Sequence, residues 1–508
     1  MRHYAGIDSG TQSTKVLIVE ESGRVVGRGQ AVYGLIEGLG VGHKEQHPAT
    51  WLSALREAFA MALREAGIDG QSVAALGVSG QQHGFVPLDA SDAVIRPAKL
   101  WCDTATAPEA QAIMEACGGA ERFARLTGNA LPAGFTASKI LWLKRHEPHH
   151  FERLATVLLP HDWLNLWLTG EKAMEWGDAS GTGLLDVRTR TWCDEAVRAI
   201  DERVRGCLPA LRPSSEPCGV LRREAAEALG LRPGTLVASG GGDNMMGAIG
   251  TGNVQQGVVT VSLGTSGTVY ACSARPVIDP QGEIAAFCDS TGQWLPLLCT
   301  MNVTVASEMA KHLFGLGTKE LNAGAAAVPA GAEGLLLLPY FEGERVPNVP
   351  DGTGVWFGHR ARTNTPGHFA RAAMEGATMG LNHGFRRMRD LGIAPDEIRL
   401  TGGGSKSAVW RAIAASVFGT PVVCCTEPEG AALGAALQAR WILERQSDPD
   451  ASLAALASEW VQIDPTTRAE PDPAQAALYS DLQELHDGLS RALRPLFPSH
   501  RNKAAREA

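Results

Sequence analysis

The chain lacks most of the features that would point to redox, metal, membrane or nucleic-acid work. Its ten cysteines are scattered and no two stand in a C-x-x-C pair, so neither a zinc site nor a thioredoxin-type pair is expected, and the thiols are read as reduced. No uncharged apolar run is long enough to span a bilayer. There is no basic excess: a net charge of −9 over 508 residues argues against general nucleic-acid binding through a basic surface, although a local site for a phosphorylated small molecule needs no such surface. The first residues enter a strand pattern directly, without the basic stretch and apolar segment of a signal peptide. A soluble, cytoplasmic protein is expected. With 44% hydrophobic and 20% charged residues the chain is globular, and its length suggests about two to four domains.

What is present is a recurring turn. Asp8-Ser9-Gly10-Thr11-Gln12-Ser13-Thr14-Lys15 lies between the apolar runs Tyr4–Ile7 and Val16–Val19, and Ser262-Leu263-Gly264-Thr265-Ser266-Gly267-Thr268 lies between Val258–Val261 and Val269–Ala271. A single Gly/Ser/Thr turn is most often an ordinary hairpin. Two of them, each opening one half of the chain, suggest two halves built on one plan, with backbone N–H groups and hydroxyls turned toward phosphate oxygens. A third cluster, Thr401-Gly402-Gly403-Gly404-Ser405, follows the run Ile398–Leu400. The resulting expectation is a nucleotide held in a cleft between two related domains.

Between these landmarks strands and helices alternate, the pattern of an α/β architecture. Residues 4–33 read as a hairpin and a further strand, and a helix begins after Pro48, with Trp51, Leu52, Leu55, Phe59 and Leu63 near helical spacing. Val73–Ser79 reads as a buried strand ending at Gly80-Gln81-Gln82-His83-Gly84, and Leu236–Ser239 as another, ending at Gly240-Gly241-Gly242-Asp243-Asn244 before a helix. In the second half, Leu335–Leu338 is a strand, about 366–391 a long helix and about 407–418 a shorter one, and Glu429–Ala436 opens a helix rich in small residues. The stretch 446–475 is expected to be peripheral and Arg501–Ala508 disordered. The boundaries drawn are 1–245, 246–490 and a polar tail, 491–508.

Taken together, over roughly residues 4–440, these segments resemble the FGGY family of carbohydrate kinases. The resemblance rests on Gly6–Thr11, Gly134–Leu143, Gly240–Asn244, Pro339–Arg345, Gly354–Glu375 and Thr401–Gly404. His359 stands where the family usually has an aliphatic residue. Within the family, Ser79-Gly80-Gln81-Gln82-His83-Gly84, Leu158–Trp163 and Asp178–Thr182 look like the xylulose-phosphorylating branch, since glycerol kinases carry an Arg-Glu pair at the first of these. Leu100–Thr106 departs from the family pattern in keeping Asp103 without the usual Arg. The resemblance implies two actin/hexokinase-like (ribonuclease H-like) α/β domains with an interdomain cleft. It implies ATP-dependent phosphorylation of D-xylulose to D-xylulose 5-phosphate with Mg²⁺. The partners expected are the small-molecule sugar and ATP, with a homodimer considered and neither nucleic acid nor membrane. Phosphorylation of another ketopentose, a pentitol or glycerol is the alternative activity, and a nucleotide-gated interaction module is the non-enzymatic one.

The resemblance also assigns roles. Asp243 by position alone reads as a helix N-cap; the family makes it the general base that takes the sugar hydroxyl proton, with Asn244 hydrogen-bonding the sugar. Asp8 by position alone accepts bonds in an Asx turn; the family places it near the hydration shell of the metal and the transferred phosphate. Gln82 and His83 are expected on sugar hydroxyls, with Trp101 and Asp103 as further pocket residues. Thr11, Gln12, Ser13, Thr14 and Lys15 are expected near the β- and γ-phosphates, with Lys15 equally readable as an exposed strand-edge charge. Gly264, Thr265 and Ser266 are expected to meet the same phosphates. Gly402, Gly403 and Gly404 are expected against the adenosine, with Lys406 beside the adenine. Trp142 and Trp163 are read as core.

Overall fold

The computed structural model describes residues 2–504. They form two compact units that are not consecutive stretches of chain. The first takes the residues up to Gln255, then Cys272–Pro296 and Glu429–Gln462; the second takes Gln256–Ala271, Leu297–Pro428 and the residues from Ile463 onward. Each has its own mixed sheet, as the alternating strand and helix pattern requires.

In the first unit the sheet runs Pro217–Val220, Leu236–Ala238, Val73–Gly80, His3–Ser9, Ser13–Glu20, Val25–Val32, with Gly241–Gly242 pairing beside Val73–Gly80. The central pair, His3–Ser9 and Val73–Gly80, is parallel and places Asp8 opposite Ser79. The next two strands are antiparallel hairpin partners, and the first turn is closed by Gly10 N–H on the Ser13 carbonyl at 3.0 Å. The helix Pro48–Ala66 starts on a proline and ends at Gly67 in the left-handed conformation, the usual proline-first, glycine-last arrangement. It buries Trp51, Leu55 and Phe59.

The helix Gly430–Arg445 reaches this unit from far along the chain and lies against backbone on two sides. A Cβ on Gly6 would overlap the Ala432 carbonyl oxygen, and one on Gly77 the Ala435 carbonyl oxygen. On the helix Asp243–Gly250, Gly250 stands against the Gly430 carbonyl, while Gly434 stands against that of Met246. The run of small residues in Gly430–Ala436 is therefore the surface on which two strands and the Asp243 helix converge.

In the second unit the strand Val258–Leu263 is central. It pairs parallel with Glu397–Thr401 and antiparallel with Gly267–Ala271; Gly267–Ala271 in turn pairs with Leu297–Thr300. Val422–Cys425 continues the sheet beside Glu397–Thr401. The helix Pro366–Asp390, capped by the Thr365 side chain, is buried along most of its length, and Ala408–Phe418 is capped by Ser407. Among the described residues no helix is long and apolar enough to cross a membrane.

One expectation gains detail, the peripheral stretch ending in an edge strand, and one, the disordered C-terminus, needs correction. The stretch 446–475 holds a helix, Leu453–Trp460, and a strand, Ile463–Ala469, that pairs antiparallel with Val422–Cys425. The helix buries Trp460 edge-on against Tyr4. The strand was hidden because it is half-exposed and polar, so it shows no apolar alternation. At the C-terminus, Arg501–Ala504 belongs to a helix, Phe497–Ala504, anchored by the buried Phe497 beside Tyr340; residues 505–508 of the expected disordered tail lie outside the described residues.

The close backbone approach sets an outcome for substitution. Gly434→Ala is expected to lower the unfolding free energy by about 2–4 kcal/mol, because the overlap falls on backbone that cannot rotate away. Gly206→Ala, where a Cβ meets nothing within 4 Å, is expected to change it by no more than about 0.5 kcal/mol. Urea unfolding of the two variants measures the difference.

Candidate active site

Asp243 is the first residue of the helix Asp243–Gly250, delivered by the strand end Gly241–Gly242. Its Oδ1 accepts the Asn244 N–H at 2.8 Å and Asn244 Nδ2 at 3.1 Å. Burial pushes its pKa up to about 7, and the charges of Asp8 and Asp178 push in the same direction. Asp8 accepts a hydrogen bond from Ser79 Oγ at 2.9 Å. Burial raises it to about 6, against the Ser79 bond and the positive charge of Lys15. Burial, with the Asp8 charge adding to it, puts a base whose affinity for protons lies near neutrality beside a second acidic group.

Gln82, His83 and Asn244 come together around this helix start. Asn244 Nδ2 donates to Gln82 Oε1 at 2.7 Å, and Gln82 lies along Gly242, where a Cβ would clash with it. His83 is buried at 9% exposure. It is one of the few non-glycine residues in the left-handed region, with φ 61°. Its ring lies 4.5 Å from that of Phe135 and 5.5 Å from that of Phe287, centroid to centroid, and over Gly181, where any side chain would overlap it.

Trp101 and Asp103 are placed differently. Trp101 Nε1 donates to Thr11 Oγ1 at 2.9 Å, and that hydroxyl donates to Gln81 Oε1 at 3.1 Å, which ties Trp101 to the first turn. Asp103 is fully buried and committed: its carboxylate takes Lys99 Nζ at 2.9 Å, Lys44 N–H at 2.9 Å and Ala105 N–H at 3.1 Å. His43, Glu45 and Asp103 have the spacing of a metal-ligand set. The buried Lys99 ammonium lies 3.1 Å from His43, 3.1 Å from Glu45 and 2.9 Å from Asp103, so the cation that this set holds is a lysine. Trp142 packs over that same ammonium at 4.1 Å, and Trp163 packs edge-on to Trp51; both serve as packing residues.

In the first turn Tyr33 supports the loop. Its hydroxyl donates to the Gly10 carbonyl at 2.7 Å and lies 3.2 Å from Thr14 Oγ1. Gln12 is exposed and Thr11 and Ser13 are half-exposed, whereas Thr14 is buried. Lys15 Nζ pairs with Glu429 Oε2 at 2.5 Å, so it is an ion-paired strand residue within reach of Asp8.

The remaining candidates belong to the second unit. Val258–Leu263 and Glu397–Thr401 are parallel, with Ser262 opposite Thr401, so the turns Gly264–Ser266 and Gly402–Gly404 leave the same carboxyl edge of the sheet, the edge where α/β proteins bind ligands. They touch: Gly402, at φ 80°, stands where a side chain would overlap Leu263 and the Gly264 nitrogen. Thr265 and Gly402, Gly403 and Lys406 are exposed, while Gly404 is buried over Leu263. The Gly264 and Thr265 carbonyls accept the N–H groups of Thr304 and Val303, and Thr265 is exposed and Ser266 half-exposed.

The sequence reading did not assign roles to the charged residues behind Asp243. His161 is fully buried between two carboxylates, with Nδ1 2.9 Å from Asp178 and Nε2 3.0 Å from Asp162. Burial opposes its protonation, but the two carboxylates outweigh it and hold His161 well above the usual imidazole range. Burial raises Glu175 to about 7, against the hydrogen bonds it accepts from Ser214 Oγ and the Gly177 N–H. No short-range spacing announces this group, since His161 and Asp178 stand 17 residues apart.

Comparison with known proteins identifies the family. The N-terminal domain of the FGGY family of carbohydrate kinases matches residues 3–250 and the C-terminal domain matches 259–443. The chain is 40% identical over 488 residues to a xylulose kinase of Haemophilus influenzae, covering 95% of this chain and 98% of that one. The crystal structure of a xylulose kinase from Rhodospirillum rubrum superimposes with a TM-score of 0.88 at 30% identity, covering 98% and 100% of the two chains. That of a gluconate kinase from Lactobacillus acidophilus superimposes at 0.90 with 25% identity, covering 98% and 99%. The chain belongs to the FGGY family of carbohydrate kinases.

Proposed function

We propose that the chain transfers the γ-phosphoryl group of ATP to the terminal hydroxyl of D-xylulose, giving D-xylulose 5-phosphate and ADP, in the cytoplasm. The observation that carries the proposal is Asp243, a carboxylate at a helix start whose pKa lies near neutrality and whose neighbour Asn244 is joined to Gln82. The names of the xylulose kinases it resembles support the choice of sugar.

In this reading Gln82, His83 and Asn244 orient the ketose by its hydroxyls, and the Asp243 carboxylate accepts the proton of the attacking hydroxyl as its oxygen bonds to the γ-phosphorus. The bond from that phosphorus to the bridging oxygen breaks and ADP leaves. Thr11, Gln12, Ser13 and Thr14 in the first turn, and Gly264, Thr265 and Ser266 in the second, offer N–H and hydroxyl donors to phosphate oxygens. Gly402, Gly403 and Gly404 admit the adenosine against bare backbone, with Lys406 at the rim. Asp8 fits a hydrated Mg²⁺ by chemistry: it is an oxygen donor, raised in pKa by burial beside a second carboxylate, the situation a divalent cation relieves. When bound, Mg²⁺ would supply neutralisation of phosphate charge. Trp101 and Asp103 support the pocket from behind through Thr11 and Lys99.

Three measurements test the proposal. Because the folded pKa of Asp243 is raised to about 7, the base is protonated and idle below that value, so kcat/KM is expected to fall as pH drops through about 7 and to level off above it. Asp243→Ala is expected to lower kcat by about 10³-fold or more while ATP binding, read by calorimetry, changes little; near-normal turnover would end the proposal. In a panel of D-xylulose, D-ribulose, xylitol, glycerol and gluconate with MgATP, D-xylulose is expected to have the highest kcat/KM. A different leader would keep the kinase and replace the sugar.

A further inference from the structure

His83 is held in the left-handed backbone conformation, which is uncommon for a residue with a side chain. A non-glycine residue at φ 61° is strained and persists where its surroundings over-determine it. The constraint here is ionic and buried. Lys139, on the helix Thr136–His146 and fully buried, donates from Nζ to the His83 carbonyl at 2.6 Å and to the Gly134 carbonyl at 2.5 Å. Thr136 Oγ1, one turn earlier on that helix, donates to the same His83 carbonyl at 3.2 Å. On the other side the His83 backbone faces the Asp178 carboxylate and favours its charged form, and Asp178 is itself fixed by His161 Nδ1 at 2.9 Å. Gly181, three residues after Asp178, clears the space that the His83 ring fills.

We propose that Lys139 is a positioning residue for sugar recognition, with Thr136 beside it and the His161–Asp178 pair opposite, clamping His83 by its carbonyl so that the imidazole is presented to the sugar in one fixed orientation. A lysine buried only to fasten a helix would need any carbonyl within reach. This one divides its ammonium between the turn that starts its own helix and the one strained residue of the sugar site. Removing it leaves the Phe135 and Phe287 contacts in place but lets the backbone at His83 relax toward an ordinary conformation, which swings the ring. The clamp acts on the ketose side alone, since Lys139 and Thr136 bond neither Asp243 nor the Gly10–Lys15 turn among the contacts described. The kinetic part of the proposal rests on the sugar-kinase reading above.

The test uses full-length wild-type protein, Lys139→Met and Thr136→Val, with melting temperature recorded for each. Lys139→Met is expected to raise KM for D-xylulose by about 10-fold or more, the loss expected of a buried charge-assisted hydrogen bond, with KM for MgATP within about twofold of wild type. Thr136→Val is expected to shift the same ratio by about two- to fivefold. In both, hydrogen exchange in a peptide spanning 81–85 is expected to speed up, by about tenfold in Lys139→Met. Unchanged ketose KM and unchanged exchange in a folded Lys139→Met, with only the melting temperature lowered, would overturn the clamp. If Lys139→Met does not fold, the same two null results in Thr136→Val overturn it. If wild type turns over no ketose, the functional reading fails, and the exchange comparison still decides the clamp.

Discussion

The contact on which the first unit depends is one of bare backbone. The helix Gly430–Arg445 lies against the central strands at Gly6 and Gly77 and against the Asp243 helix at Gly250 and Gly434, with carbonyl oxygens where side chains would otherwise be. Protein interiors tolerate little misfit, so this packing fixes the spacing between the strand ends that carry Asp8 and Gln82 and the helix that carries Asp243. The position of the candidate base is set by residues whose contribution is to have no side chain.

That spacing has an electrostatic consequence. Burial raises Asp8, Asp178 and Asp243, and the charges of Asp8 and Asp178 raise Asp243 further. Carboxylates in such surroundings hold protons to higher pH, which costs the folded state stability as pH rises from about 4 toward 7. The protein partly offsets this at Asp178 with the buried His161, held between Asp162 and Asp178; a second buried cation, Lys99, neutralises a separate group of His43, Glu45 and Asp103. A buried pair is weak evidence for stability in itself; here the pairs serve to hold acidic and strained groups where they are. Lys99 is the plainest case, since it occupies the centre of what would otherwise be a metal-ligand set.

Much of the fold was legible from pattern. The opening hairpin, the helix after Pro48, the strand ending at Gly80 and the long helix after Thr365 all carry strong apolar periodicity or clear capping signals, and they form where expected. Ile463–Ala469 was not legible, because an edge strand with one polar face and a proline has no alternation to read. The C-terminal helix was not legible because its one anchoring residue, Phe497, gains meaning only beside Tyr340. Among the candidate site residues, the cluster of Gln82, His83, Asn244 and Asp243 was foreshadowed by two glycine-rich strand ends, whereas the commitment of Asp103 to Lys99 depended on a pairing four residues away within a loop that has no regular period.

The sequence alone determined the family, the two-part α/β plan and the position of the glycine turns, because these are written in local periodicity, in residues needed for special backbone conformations and in motifs that stay contiguous. Only the tertiary structure decided which carboxylates interact, which lysine replaces a metal and how His83 is gripped. Those properties belong to groups far apart in the chain, and burial and Coulomb interaction depend on separation in space, which one-dimensional order does not encode.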